Sequence, residues 1–155
     1  MNSIDKRLEK LGIRLNANPA PVANYVSMQK AGDIWFFSGA GPFEGNKPMF
    51  LGRLGENMTT EEGYAAARLA GINLLAVLKR ELNGDWDRLE QIVKVQAFVS
   101  STNDYYEQPK VINGASDLFV EVFGDKGRHA RTAVAANVLP LGIPVEVEMV
   151  VKIKN

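Results

Sequence analysis

Residues 145–153, Val-Glu-Val-Glu-Met-Val-Val-Lys-Ile, decide the fold. Val145, Val147, Met149, Val151 and Ile153 fall on one side of an extended chain, with Glu146, Glu148 and Lys152 on the other, because successive strand side chains point to opposite faces. On a helix the same residues would scatter around the axis. The segment is therefore a strand with one buried face. Val150 interrupts the polar side, as Phe98 does further upstream among Lys94 and Gln96, so the second face is half apolar and expects a partner surface.

Upstream, Ala130–Ala136 reads as another strand, and the loop 137–144 between the two suggests a hairpin. Before it, 109–123 has helical spacing: Pro109 suits the first turn, Ile112, Ala115, Phe119 and Val122 form the stripe, and Gly124 ends it. Residues 92–99 read as a strand with Val93, Val95, Ala97 and Val99 on one face. The clearest helix start is Thr59 with Glu62, a capping box ahead of Ala65, Ala66, Leu69, Ile72, Leu75 and Leu78, with Asn83-Gly84 as its stop. A turn around Trp86 and a short helical turn at Leu89 follow.

Towards the N-terminus, strand-like runs at 25–30 and 34–38 flank the three-residue loop Ala31-Gly32-Asp33. A glycine- and proline-rich loop covers 39–48, and a short strand is expected at 49–53. Ser3 is an N-cap candidate for a helix over 3–11 that Gly12 ends, and 16–21, with Pro19 and Pro21, reads as an extended connector. The expected organisation is an N-terminal helix and connector over 1–20 and a single domain over 21–155. Its order, β-β-β-α-β-α-β-β, is an α+β layout: a mixed sheet with two helices packed on one face, plus the short N-terminal helix.

Composition narrows the function classes. The 155 residues carry Lys+Arg 18 against Asp+Glu 18, so no net charge pulls the chain toward nucleic acid or an anionic membrane. Cys 0 removes disulfides, thiolate nucleophiles and cysteine metal ligation. No apolar run reaches the roughly 18 residues that span a bilayer, and 1–15 lacks the apolar core of a secretion signal, so a cytoplasmic location is the expectation.

Gly39-Ala40-Gly41-Pro42-Phe43-Glu44-Gly45 has the wrong glycine spacing for a dinucleotide fingerprint and no helix after it. A serine triad would need Ser38 with His129, the one histidine, but Ser38 has no nucleophile-elbow glycine before it. Glu61-Glu62 and Asp85/Asp87 have no nearby histidine, so no metal site is expected. More informative are Arg131 on one closing strand and Glu146 and Glu148 on the other, which hairpin geometry would bring together. An arginine fork matches a carboxylate, and a glutamate moves protons. A plain cross-strand ion pair is the commoner outcome, and spacing does not separate the two.

Ala130-Arg131-Thr132, Leu139-Pro140 and Val145-Glu146-Val147-Glu148 together resemble the C-terminal signature of the Rid/YjgF family of reactive-intermediate deaminases, with Tyr25, Ser38-Gly39, Phe98-Val99, Asn103-Asp104 and Asn113 as further matches over 25–153. The resemblance implies a chorismate-mutase-like fold and a homotrimer with pockets between subunits. It also implies cofactor-free, metal-free hydrolysis of enamines and imines to 2-oxoacids and ammonia. By the same resemblance Arg131 would clamp the substrate carboxylate and the backbone at Ser38 and Gly39 would orient the imine. Glu146 would place or deprotonate the water and carry the proton, and Tyr25 and Asn113 would line the pocket. The chain departs from the family pattern at His129-Ala130-Arg131-Thr132-Ala133, where proline, serine and cysteine are usual at the first, fourth and fifth positions, and at Ala23-Asn24 before Tyr25. Other readings are an RNA-directed endoribonuclease or translation inhibitor, which the dispersed basic residues disfavour, a carboxylate-binding module without catalysis, and a mutase, which would want more cationic residues than Arg131.

Overall fold

The computed structural model describes residues 2–16 and 21–155; the middle of the expected connector, 17–20, lies outside the described residues. The elements are α1 (Ser3–Lys10), β1 (Met28–Ala31), β2 (Ile34–Phe37), β3 (Phe43–Glu44), β4 (Lys47–Pro48), α2 (Thr60–Glu81), β5 (Leu89–Ser100), α3 (Gln108–Phe123), β6 (Ala130–Ala136) and β7 (Val145–Ile153), with single 3-10 turns at Trp86–Arg88, Gly124–Gly127 and Pro140–Gly142. This is the expected α+β architecture. Five strands form one sheet in the order β1-β2-β7-β5-β6, and β3 pairs with β4 apart from it.

Strict alternation puts every odd-numbered residue of β7 in the core. Trp35 of β2 lies opposite Val151, and Val95 of β5 opposite Met149, so the neighbouring strands turn their apolar residues to the same side. On that side Ala66, Ala70, Leu74 and Leu78 of α2 and Ile112, Ala115, Phe119 and Val122 of α3 complete one hydrophobic cluster with the strands. Thr59 caps α2 as expected: its hydroxyl accepts from Glu62 N at 3.2 Å, and the Glu62 carboxylate accepts from Thr59 N at 3.2 Å. The α2–α3 contact is close because glycine stands at Gly114, where a Cβ would run into the Tyr64 carbonyl. Leu8 of α1 joins the core, and the Asp5 carboxylate accepts from Lys79 and from the Trp86 indole N–H, at 2.9 and 3.0 Å. Among the described residues no helix is long and apolar enough to cross a membrane.

Several local expectations need correction. Asn2, not Ser3, caps α1, its side chain accepting from Ile4 N at 2.8 Å. The β1–β2 turn has two residues, Gly32 and Asp33, since Ala31 pairs with Ile34, and Gly32 takes the left-handed φ of +64° that a tight turn demands. Residues 49–53 form no strand; Met49 N donates to Pro42 O and Gly52 N to Gly142 O, so this backbone is spent on loops. Val93 faces out rather than in, because a bulge between Ile92 and Lys94 shifts the register of β5 against β7.

The largest correction concerns the closing strands, which do not form a hairpin. β5 lies between them, parallel to β6 and antiparallel to β7. Their connection must therefore cross over the end of β5, and residues 137–144 are long enough to do so.

Gly114→Ala should lower stability by roughly 1–3 kcal/mol through overpacking. In a thermal melt that is a Tm fall of about 2–4 °C per kcal/mol, and an unchanged Tm would show that the α2–α3 contact has slack.

Candidate functional site

The predicted site residues separate into two groups. Val95 pairs with Arg131 across the parallel ladder and faces the helices, so Arg131 does too; Glu146 sits opposite Phe98 on the other face. The expected ion pair between Arg131 and Glu146 or Glu148 is therefore absent, and none of the three has an ion-pair partner among the described residues.

Tyr25, Ser38, Gly39 and Glu146 come together around a cavity of about 380 Å³, with Leu74 and Ile143 among its apolar walls. Ser38 is fixed by its hydroxyl, which donates to Val26 O at 2.6 Å, and by its N–H, which donates to Ser27 O at 2.9 Å. Reciprocal backbone bonds between Ala40 and Val147, 2.8 and 2.9 Å, then tie the chain after β2 to β7. That tie sets Gly39 against the Glu146 side chain, where a Cβ would stand 2.9 Å from the carboxyl carbon. Glycine is the residue that leaves the carboxyl its place. The Glu146 carboxyl makes no hydrogen bond among the described residues; burial, and secondarily the charge of Glu148, holds it above the ordinary carboxylate range. The arginine-lowered glutamate that adjacency on one face would produce is thus reversed.

Arg131 is held at the edge of the sheet by α3. Its Nη1 donates to Asn113 Oδ1 at 2.8 Å and to Ser116 Oγ at 3.2 Å. Asn113 and Ser116 are three residues apart on the helix and so share a side. Both acceptors are neutral, and Nε and Nη2 make no hydrogen bond among the described residues. The two acids nearest on α3 are engaged elsewhere, Asp117 by the Tyr64 hydroxyl at 2.7 Å and Glu121 by Arg68 at 2.9 Å. The result is a guanidinium whose position is fixed and whose charge is uncompensated, which is what carboxylate recognition requires.

Sequence reasoning missed Ser116 and gave His129 no part beside Arg131. The signal available was spacing: Ser116 three residues after Asn113 on a helix, His129 two before Arg131 on an extended chain. A larger open depression, about 470 Å³, lies beyond the ends of β5 and β6, but Thr102, Asn103, Tyr106 and its other lining residues include no Asp, Glu, His, Lys or Arg. Among the described residues no three His, Cys, Asp or Glu side chains converge as metal ligands would.

These two groups of side chains sit on a fold shared with known proteins. Residues 5–152 match the family model "YjgF/chorismate_mutase-like, putative endoribonuclease", and the chain belongs to this family, the Rid/YjgF family. It is 42% identical over 149 residues to Protein TCP17 of Trypanosoma cruzi, covering 96% of this chain and 92% of the other. The crystal structure of protein Atu1372 of Agrobacterium tumefaciens is similar at 37% identity and a TM-score of 0.88, with 98% and 92% of the two chains covered. That of a "putative endoribonuclease" of Shewanella oneidensis is similar at 34% identity and 0.92, with 97% and 99% covered.

Because the folded state raises the Glu146 carboxyl, its contribution to stability is full below the ordinary carboxylate range and is lost as pH rises through the raised value. Glu146→Gln should therefore melt higher than the parent at pH 7, with the gap closing as pH falls below about 4; a gap of the same size at both pH values would show the carboxyl is not destabilised by burial.

Proposed function

We propose that the protein hydrolyses reactive enamines and imines of the 2-aminoacrylate type to 2-oxoacids and ammonia, at pockets formed between copies of the chain in a homotrimer. The observation that carries this reading is the Arg131 guanidinium, oriented by neutral acceptors and left without a carboxylate of its own. Glu146 is the complementary group, a half-buried carboxyl in a cavity, without a cation beside it. Because the two lie on opposite faces, one chain does not bring them together. In the proposed assembly the β6–α3 edge of one copy covers the Glu146 face of the next.

The outward face supports such an assembly. Phe36 lies opposite Val150, and Phe98 lies opposite Val134, with Phe36 49% and Val134 41% exposed. Apolar side chains in such a group on a sheet face are commonly covered by a partner.

In the reaction, Arg131 holds the substrate carboxylate, which places the electrophilic imine carbon over the Ser38–Gly39 backbone. Glu146 takes a proton from water as the oxygen adds to that carbon. Glu146 returns that proton to the nitrogen to give the carbinolamine, then carries the hydroxyl proton to the same nitrogen as the C–N bond breaks, so that ammonia leaves and the 2-oxoacid remains. Burial makes the Glu146 carboxylate a stronger base toward water than an exposed one, and the same group gives the proton back to nitrogen. Tyr25 and Asn113 complete the pocket, Asn113 by fixing Arg131.

Clearance of 2-aminoacrylate generated in situ by a serine dehydratase, with semicarbazide trapping what remains, tests the reaction. Arg131→Ala should reduce kcat/KM roughly 10- to 150-fold, the worth of a charged hydrogen bond, and Glu146→Gln should reduce kcat about 10²- to 10⁴-fold. Parent protein that leaves trapping unchanged at high concentration removes the reading, and RNA cleavage in its place would move the assignment to endoribonuclease chemistry. Phe36→Glu should convert a trimer in sedimentation equilibrium to smaller species and abolish clearance with it; a monomeric parent would contradict the assembly.

A further inference from the structure

His129 is half-buried beside Arg131, and its two ring nitrogens have different partners. Nδ1 lies 2.7 Å from Gly127 O. A carbonyl oxygen only accepts, so Nδ1 carries the proton. A neutral ring then has a bare Nε2, and this nitrogen lies 2.9 Å from Ser116 Oγ. The Ser116 hydroxyl must donate to it, which turns the oxygen lone pairs toward Arg131 Nη1, 3.2 Å away. Phe119 meets the imidazole edge-on, with centroids 5.8 Å apart and planes at 80°, so the ring is held from a third side.

We infer that His129 is a positioning residue for Arg131: by fixing the direction of the Ser116 hydroxyl it holds Nη1 between Ser116 and Asn113 and leaves the rest of the fork facing a carboxylate. The inference rests on the reading of Arg131 as a carboxylate clamp. It goes beyond that reading by giving the neutral form of a specific imidazole a part in it.

Electrostatics agree with the geometry. Burial, then the like charge of Arg131, lowers the His129 titration, while its bond to Gly127 O opposes both. Other charged groups on the surrounding elements have partners of their own: Arg128 pairs with Asp125 at 3.3 Å, Lys126 donates to Leu89 O at 3.1 Å, and Asp117 is held by Tyr64. The ring is thus kept neutral near pH 7, the state in which Nε2 accepts.

Two measurements decide the matter. His129 is the one histidine in the chain, so its imidazole ¹⁵N signals need no assignment. They should show the neutral Nδ1–H tautomer, and the titration midpoint should move up in Arg131→Ala, where a like charge is gone. An Nε2–H tautomer, or a midpoint indifferent to Arg131→Ala, overturns the inference. In the clearance assay, His129→Leu and Ser116→Ala, each confirmed folded by its melt, should raise KM roughly three- to tenfold with kcat held. The double variant should be no worse than the poorer single one, and His129→Gln, whose amide oxygen accepts from Ser116, should recover most of the loss. An unchanged KM in both single variants, or a fall in kcat with KM unchanged, overturns it, the latter by placing His129 in proton transfer. If the parent neither clears the imine nor binds 2-oxobutyrate in calorimetry, the proposed function fails, while the ¹⁵N signals still decide whether His129 orients Arg131.

Discussion

The structure depends on the double pairing of β5. This twelve-residue strand bonds in parallel to β6 along one edge and antiparallel to β7 along the other. A parallel neighbour cannot be reached by a tight turn, so the chain between β5 and β6 must return along the sheet, and α3 is that return. The helix is thereby placed over β6, where Asn113 and Ser116 reach Arg131. The same pairing separates β6 from β7 and sets Arg131 and Glu146 on opposite faces. Both halves of the candidate site follow from one strand's choice of partners.

Most elements were legible because their signals are local. β7 alternates through its whole length, and β6 and β7 have the bounds that alternation and the flanking loop predict. The capping box at Thr59 and Glu62 places the start of α2 to the residue, and Gly124 ends α3 as expected. What sequence could not convey was which strands lie side by side. Two strands joined by eight residues read as a hairpin, and nothing within those residues records that a distant strand has taken the space between them. The Val93 bulge is of the same kind: one extra residue, visible only against β7, reverses which side chain is buried.

The candidate site was legible as a set of residues and illegible as an arrangement. Tyr25, Ser38, Gly39 and Glu146 do share a cavity, and Asn113 does hold Arg131. The expected meeting of Arg131 with Glu146 does not occur within a chain, and burial raises the carboxyl that an adjacent arginine would lower. Ser116 escaped notice, and His129 was weighed only for a serine triad, because a serine in a helix and a histidine before a strand are ordinary in isolation. Their role depends on a tautomer, and a tautomer depends on a carbonyl two residues away that only the folded backbone positions.

Gly39 has a consequence for the way this site tolerates change. Its missing side chain is the space in which the Glu146 carboxyl stands, whereas the surroundings of Arg131 are built by α3 and the residues before β6. Among the described residues, the acid and the cation share none of these supporting neighbours. Under the proposed reading, a change at position 129 would reshape what the cation holds without disturbing the packing around the acid, so that binding preference and proton chemistry would be separately heritable.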